Sequence, residues 1–117
     1  MHELGIVFHI IDSVESVARE NGVAEVRNVT VEVGEVSSVI PDYLIDCWNW
    51  AVKKKSEYLQ NSTLSVEPIR AVTHCDGCGR DYGTIDSGKI CPHCGSEKTW
   101  LVTGNEINIK EITVLEE

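Results

Sequence analysis

The apolar residues among the first twenty positions recur at helical spacing. They follow one another at steps of three and four residues, with charged residues on the opposite side. The stripe consists of Leu4, Val7, Ile11, Val14 and Ala18. Asn21-Gly22 is a typical helix stop. The pattern predicts an amphipathic helix of about five turns that begins almost at the first residue.

Two later segments alternate apolar and polar residues, as half-buried strands do. Val29, Val31 and Val33 predict a strand near residues 25–34 that closes at Gly34. Residues 63–70 alternate in the same way, and Pro68 places that strand at a sheet edge or at its end. With a helix between them, the two strands form a predicted crossover unit.

That helix is predicted to begin at Pro41 and to end at Lys53-Lys54-Lys55, because proline suits a first turn and lysine the C-terminal dipole. Trp48 is expected to pack in the core and Trp50 to be partly exposed. Cys47 is expected to be a small core residue. The predicted buried face consists of Leu44, Cys47, Trp48 and Ala51.

Beyond residue 70 the chain is expected to leave the sheet, form a lobe and return through two strands. Gly104-Asn105 separates these two runs and is a two-residue hairpin signal. The predicted fold is α/β, with two helices packed on a small three-stranded mixed sheet and an inserted zinc-ribbon-like lobe. The predicted domains are 1–70 plus 98–117 for the α/β part and 71–97 for the lobe.

Two Cys-x-x-Cys-Gly motifs lie in the predicted lobe, at Cys75, Cys78 and Gly79 and again at Cys91-Pro92-His93-Cys94-Gly95. Each pair can present two sulfurs from a tight turn to one cation, so the spacing is typical of a structural zinc site. Two redox dithiols or two disulfides are the alternatives. The symmetry of the motifs, and a loop between them that is poor in apolar residues, favour zinc on Cys75, Cys78, Cys91 and Cys94.

The formal net charge of −9 argues against nucleic acid as a partner. Four thiolates around one zinc ion would bring the charge to about −11. The lobe offers few basic side chains, so a protein or cationic partner is expected. No apolar run is long enough to span a membrane, and the start lacks the positive region of a secretory signal. Together with thiols suited to metal binding, this predicts a cytoplasmic protein.

The residues offer little for catalysis. The histidines are His2, His9, His74 and His93, and no recognisable nucleophile or phosphate-binding motif accompanies them. The sequence therefore predicts that the chain is not an enzyme. His9 is expected to be an ordinary surface or satisfied histidine. His74 and His93 adjoin the cysteines and are able to replace a sulfur, although four cysteines already fill a tetrahedral zinc site.

His2 differs from the other histidines because of its position. Its imidazole, its own amide nitrogen, the amine of Met1 and the amide of Glu3 can all reach one cation in short chelate rings. Four nitrogens in a plane suit Ni(II) or Cu(II). Taken alone, however, a histidine at position 2 is more often an incidental surface residue.

Several motifs together resemble one known family. They are Met1-His2-Glu3-Leu4 at the start, a Cys-x-x-Cys pair near residue 75, Cys-Pro-His-Cys-Gly-Ser at 91–96 and Gly104-Asn105-Glu106-Ile107-Asn108-Ile109. In order, spacing and total length, the chain is similar to the HypA/HybF family of hydrogenase nickel-insertion proteins. His74 and Cys47 match none of these motifs.

The resemblance implies a nickel metallochaperone with a structural zinc on the four cysteines and a nickel site that contains His2. The implied partners are a nickel-handling maturation GTPase and the large subunit of nickel–iron hydrogenase, and some relatives also serve urease. Two other classes stay open on the residues alone. A rubredoxin-like electron carrier would hold iron on the same cysteines, and a zinc-ribbon adaptor would bind a protein without any affinity for nickel.

Overall fold

The computed structural model of this chain describes residues 3–55 and 57–116. In chain order the elements are α1 (Glu3–Glu20), β1 (Val23–Gly34), α2 (Pro41–Lys55), β2 (Thr63–Ile69), β3 (Val72–Cys75), β4 (Asp81–Gly83), α3 (Thr84–Ser87), β5 (Thr99–Thr103) and β6 (Ile107–Glu116). They form two three-stranded sheets, ordered β2-β1-β6 and β4-β3-β5. The predicted α/β class is confirmed.

The chain divides into two compact units. The helical unit comprises the residues through Glu32, Val39–Glu67 and the chain from Asn108 onward. The cysteine unit comprises Val33–Ser38 and Pro68–Ile107. The sequence predicted domain bounds of 1–70 plus 98–117 and of 71–97. These bounds concern which residues fold independently, and they stay a prediction.

The core of the helical unit is built by the predicted apolar stripes. α1 packs against α2, and alternate valines of β1 are fully buried. Trp48 is buried, and its Nε1 donates to Ser62 Oγ at 3.2 Å. Ser62 Oγ in turn donates to the carbonyl of Leu59 at 2.6 Å, so the one polar atom of the buried indole is satisfied. As predicted, Trp50 is exposed.

Two positions of the predicted helical stripes were wrong. Leu4 is exposed, and Ile10 is buried in α1 instead. Cys47 is only half buried, because the inward face of α2 runs through Leu44, Trp48 and the two residues Ala51 and Val52. Steps of four and three along that face leave position 47 at its edge.

The cysteine unit contains the sheet that the sequence did not predict. β3 pairs antiparallel with both β4 and β5, and its register places His74 opposite Asp81 on one side and Trp100 on the other. Tyr82 on β4 is buried with Cys75 and Cys91. Its hydroxyl donates to the carbonyl of Gly88 at 2.8 Å, which ties β4 to the end of α3.

The predicted hairpin at Gly104-Asn105 was wrong, because β5 belongs to the sheet of β3 whereas β6 lies beside β1. The amides of Gly104 and Asn105 both donate to Glu106 Oε1, at 2.5 and 2.8 Å. The carbonyl of Gly104 accepts from the amide of Val36 at 2.8 Å. The main-chain groups of this turn are therefore bonded to Glu106 and Val36 and do not close a two-stranded ladder.

Among the described residues, no helix combines the length and the hydropathy needed to cross a membrane.

Candidate metal centre

The two Cys-x-x-Cys motifs fold into matching turns. The amide of Gly79 donates to the carbonyl of Cys75, and that of Gly95 to the carbonyl of Cys91, both at 2.8 Å. Gly79 and Gly95 have φ angles of 75° and 74°. A side chain is strained in that left-handed conformation, so glycine after the second cysteine is what lets each turn close. Ser96, the residue after Gly95, completes the second turn, because its carbonyl accepts from the Cys91 amide at 3.0 Å.

The turns bring the four sulfurs together. All four Sγ atoms lie within 4.8 Å of one another. Cys75 Sγ lies 3.6 Å from Cys94 Sγ, and Cys78 Sγ lies 3.7 Å from Cys91 Sγ. Four ligands at the usual Zn–S distance of about 2.3 Å on a tetrahedron are separated by roughly 3.8 Å. The cluster therefore has the size of a closed four-thiolate zinc site, and none of the four cysteines is in a disulfide.

The four thiols differ in exposure and in acidity. Cys75 and Cys91 are buried, whereas Cys78 and Cys94 are exposed. Burial raises the pKa of Cys91, but the amide donors of His93 and Cys94 and the thiols of Cys75 and Cys78 outweigh it and lower the pKa to about 7. The His93 amide lies 3.4 Å from that sulfur. Cys91 is therefore a stronger acid than an ordinary cysteine thiol.

The thiol of Cys94 behaves in the opposite way. The amide of Ser96 lowers its pKa, yet the neighbouring Cys75 thiol and burial outweigh that donor and raise the pKa to about 12. The amide of Arg80 lowers the pKa of Cys78, but burial and the thiols of Cys91 and Cys75 outweigh that donor, so this pKa is also raised. A cation that binds all four sulfurs must therefore displace protons from the cluster. Thiolates are ligands that zinc accepts readily, and such a closed set leaves no open position for catalysis.

His74 lies beside the cluster and is held away from it by other partners. Its Nδ1 is 2.6 Å from Asp81 Oδ1, and its Nε2 is 3.7 Å from Asp76 Oδ1. The ring also contacts Trp100, with centroids 5.4 Å apart, and the Trp100 indole donates to Asp76 at 3.3 Å. Within the part of the chain that the structure describes, only the four cysteines form a group able to hold a metal ion. His74 and His93 are not members of that group.

The predicted nickel ligands Met1 and His2 lie outside the described residues. Glu3 is described, at the start of α1, and it is buried. Its Oε2 accepts from the main-chain amide of Ile40 at 3.2 Å, directly before α2 begins. The sequence did not predict this contact, because nothing in the local pattern connects position 3 with position 40.

The α/β fold with a four-thiolate centre defines a small metal-binding protein. A comparison with protein families gives the particular family. The family described as "Hydrogenase/urease nickel incorporation, metallochaperone, hypA" matches residues 1–114. The chain belongs to this family. It is therefore a metallochaperone of nickel incorporation for hydrogenase and not an enzyme, which agrees with the resemblance drawn from the sequence.

Curated relatives match over nearly the full chain. A hydrogenase maturation factor HypA of Rhizobium leguminosarum bv. viciae is 30% identical over 98% of this chain and 100% of the relative. A HypA of Chlorobium phaeobacteroides is 34% identical over 97% and 99%, and a hydrogenase maturation factor HybF of Klebsiella pneumoniae is 30% identical over 96% and 97%.

Solved structures share the fold. The solution structure of the Ni metallochaperone HypA from Helicobacter pylori superposes with a TM-score of 0.74 at 22% identity and covers 100% of both chains. A second solution structure, of a HypA protein, gives a TM-score of 0.75 at 21% identity over 100% of this chain and 98% of that one. At these identities the two matches establish likeness of fold.

Proposed function

We propose that this chain binds Ni(II) at its N-terminus and delivers it during maturation of nickel–iron hydrogenase, while a structural zinc is held by Cys75, Cys78, Cys91 and Cys94. The observation that carries the proposal is the family match over residues 1–114. The relatives that match over nearly their full length are named hydrogenase maturation factors. Urease is a second candidate client, because the family description names both enzymes.

The proposed nickel ligands are the amine of Met1, the imidazole and amide nitrogen of His2 and the amide nitrogen of Glu3. Consecutive nitrogens of one chain close small chelate rings, and a plane of nitrogen donors suits Ni(II). The Glu3 carboxylate already accepts from the Ile40 amide, which supports the main-chain nitrogen of this residue as the ligand. Zinc and nickel then occupy donor sets of different softness.

The four sulfurs support zinc as the resident metal. Their separations fit a tetrahedral thiolate site. Thiols that are free of disulfides suit a reducing compartment, and we place the protein in the cytoplasm on that ground. The partners proposed are a nickel-handling maturation GTPase and the hydrogenase large subunit; neither nucleic acid nor membrane is expected to bind a chain of charge −9.

The test compares nickel binding by three proteins: the wild type, a form with a Gly-Ser extension before Met1, and His2→Ala. We expect the extension to abolish tight nickel binding as completely as His2→Ala, because it converts the terminal amine into an ordinary amide. Zinc content and circular dichroism serve as folding controls. Tight nickel binding by the extended form would show that the amine is not a ligand, and unchanged binding by His2→Ala would overturn the N-terminal site.

Two rival functions make different predictions for the same samples. A rubredoxin-like electron carrier would purify with iron on the four cysteines and would absorb visible light when oxidised, whereas a zinc protein is colourless. A zinc-ribbon adaptor would show no nickel binding at all. Metal analysis followed by nickel titration therefore separates all three, and release of zinc on nickel saturation would show that the cysteines are the nickel site.

A further inference from the structure

An apolar face with two positive charges at one end lies on the two long helices of the helical unit. We call it the Trp50 face; it consists of Leu4 from α1 and Tyr43, Cys47 and Trp50 from α2. Leu4, Tyr43 and Trp50 are exposed by 38%, 58% and 53%. Leu4, Cys47 and Trp50, together with Asp46, line a groove of about 270 Å³. Scattered apolar residues are ordinary on a surface, but a continuous set of this kind is typical of an interaction site.

The positions on α2 form one line along the helix. Tyr43, Cys47, Trp50 and Lys54 are separated by four, three and four residues, which keeps them on one side of a helix. The line spans about 16 Å at 1.5 Å per residue. A partner element of roughly three helical turns would cover it.

Two lysines at the end of α2 carry the charge of the face. Lys54 Nζ lies 5.5 Å from the ring centroid of Trp50, and Lys55 Nζ lies 4.8 Å from that of Phe8 on α1. The structure pairs neither ammonium group with a carboxylate among the described residues. Two cations held against aromatic rings beside an apolar groove are complementary to a partner segment with carboxylates at one end of an apolar face.

The walls of the groove favour a helix over an extended strand as the occupant. Leu4 lies on α1 and Cys47 and Trp50 lie on α2, and α-helices offer no sheet edge for strand pairing. An extended segment laid on this surface would find no strand edge to pair with, and most of its amides and carbonyls would bond to water. A helix satisfies its main chain internally and presents only side chains to the groove.

The Trp50 face adjoins the proposed nickel site along the chain. Leu4 is two residues from His2 in the sequence. Transfer of a metal requires the ligands of the other protein to reach it. A docking surface beside the donor residues meets that requirement, and this step rests on the proposed function.

We propose that the Trp50 face is the docking surface for an amphipathic helix of a nickel-exchange partner protein, whose apolar side covers Leu4, Cys47 and Trp50 and whose carboxylates pair with Lys54 and Lys55. The occupant is defined by chemistry: an apolar stripe over about three turns with acidic residues at the end that lies over the two lysines.

A photo-crosslinking experiment identifies the occupant directly. A benzophenone amino acid is placed at position 50 and, as control, at Val17, another exposed apolar position on α1. Each protein is irradiated with the purified maturation GTPase and with the hydrogenase large subunit. We expect crosslinks from position 50 to a helix with acidic residues in one of these proteins. The inference would be overturned by crosslinks to an extended segment or to a second copy of this chain. A crosslinking yield at position 50 no higher than at position 17 would overturn it as well.

Binding measurements with the crosslinked protein give a second readout. Trp50→Ala should weaken the affinity about 30-fold, since a central aromatic side chain is often the main contributor to an interface. The double variant Lys54→Glu, Lys55→Glu should weaken it roughly tenfold and remove most of its salt dependence. Lys53→Glu reverses the charge of one neighbouring lysine for which the described residues show no aromatic contact, half the charge change of the double variant, and it should change the affinity less than twofold. Equal binding by Trp50→Ala and the wild type would contradict the docking surface.

Nickel titration keeps this inference separate from the proposed function. All Trp50-face variants should bind nickel as the wild type does, because none of them changes residues 1–3. If His2→Ala also binds nickel normally, the N-terminal site fails whatever the crosslinking shows. If His2→Ala loses nickel and Trp50→Ala still binds the partner normally, the docking surface fails and the nickel site stands.

Discussion

Gly34 and Gly104 approach so closely that a side chain at position 34 would overlap the main chain of Gly104. A Cβ atom built on Gly34 would lie 1.9 Å from the carbonyl oxygen of Gly104. One built on Gly104 would lie 2.5 Å from the Cα of Ala71. Hydrogen bonds accompany the contact: the Gly34 amide donates to the carbonyl of Glu106, and the Ala71 amide donates to the Glu35 carboxylate. Three segments of the cysteine unit, around Gly34, Ala71 and Gly104, are therefore in main-chain contact.

Gly34→Ala should destabilise the protein by about 3 kcal/mol or more, because main-chain atoms must move to admit the methyl group. Gly22→Ala is the matched control. Nothing lies within 4 Å of the Cβ position there, so only the cost of its positive φ, about 1 kcal/mol, is expected. Urea unfolding of both variants in zinc-containing buffer measures the difference, and equal losses would show that the chain relaxes around position 34.

Removal of zinc should unfold residues 71–97 and leave the helical unit folded. Two of the three buried residues that cluster in the cysteine unit, Cys75 and Cys91, are proposed zinc ligands, and Tyr82 is the third. Binding energy at such a site is folding energy. Amide hydrogen exchange after chelation is the measurement. We expect loss of protection in 71–97 and retained protection in Val29–Val33. Equally early loss in that strand would contradict the division.

The sequence predicted those helices and strands that are long enough to show a period of apolar residues. α1, β1, α2 and β2 each carry a periodic set of apolar residues, and apart from Leu4 and Cys47 their burial follows that period. β3 and β4 contain four and three residues, too few to show an alternation. The hairpin prediction was wrong because the amides of Gly104 and Asn105 are bonded to Glu106, a side chain whose role no turn rule anticipates.

The same distinction holds for the metal centre. Each Cys-x-x-Cys-Gly turn is local, so its five residues are enough to predict it. The metal site then requires only that the two turns lie next to each other. The pair of His74 and Asp81 depends on the register between β3 and β4, and the contact of Glu3 with Ile40 crosses 37 positions. Such contacts are set by tertiary packing, which local spacing does not encode.

The carboxyl group of Glu106 should make the stability of the protein depend on pH in the acidic range. Main-chain donors, first Gly104 and then Glu106 itself and Asn105, hold the pKa of this carboxyl below its ordinary value of 4.5. Its contribution to stability is therefore complete above about pH 4.5 and is lost as the pH falls through the lower pKa of the folded state. The difference in unfolding free energy between wild type and Glu106→Gln should shrink over that range. A difference that is the same at neutral and acidic pH would contradict this role.

Zinc binding should release fewer protons in alkaline buffer. Cys91, with a pKa of about 7, is ionised there before the metal arrives, whereas Cys94, with a pKa of about 12, still carries its proton. Lower pH protonates the thiols, so the zinc association constant should fall on acidification. Calorimetry in buffers of different ionisation enthalpy counts the protons. We expect about one fewer proton above pH 8 than near pH 6, and an unchanged count would show that Cys91 does not ionise in this pH range.

Substitution of Glu3 decides which atom of this residue serves the proposed nickel site. Glu3→Gln keeps an oxygen that can accept from the Ile40 amide and keeps the main-chain nitrogen, so nickel affinity should stay within about threefold of the wild type. Glu3→Ala removes that acceptor and should cost about 1–2 kcal/mol of stability. Below its unfolding temperature it should still bind nickel, because the amide nitrogen remains.

Nickel titration and thermal unfolding of both variants, with His2→Ala as the non-binding control, make the measurement. Loss of nickel binding by a folded Glu3→Gln protein would show that the carboxylate itself is the ligand and that its bond to Ile40 must break when the metal arrives.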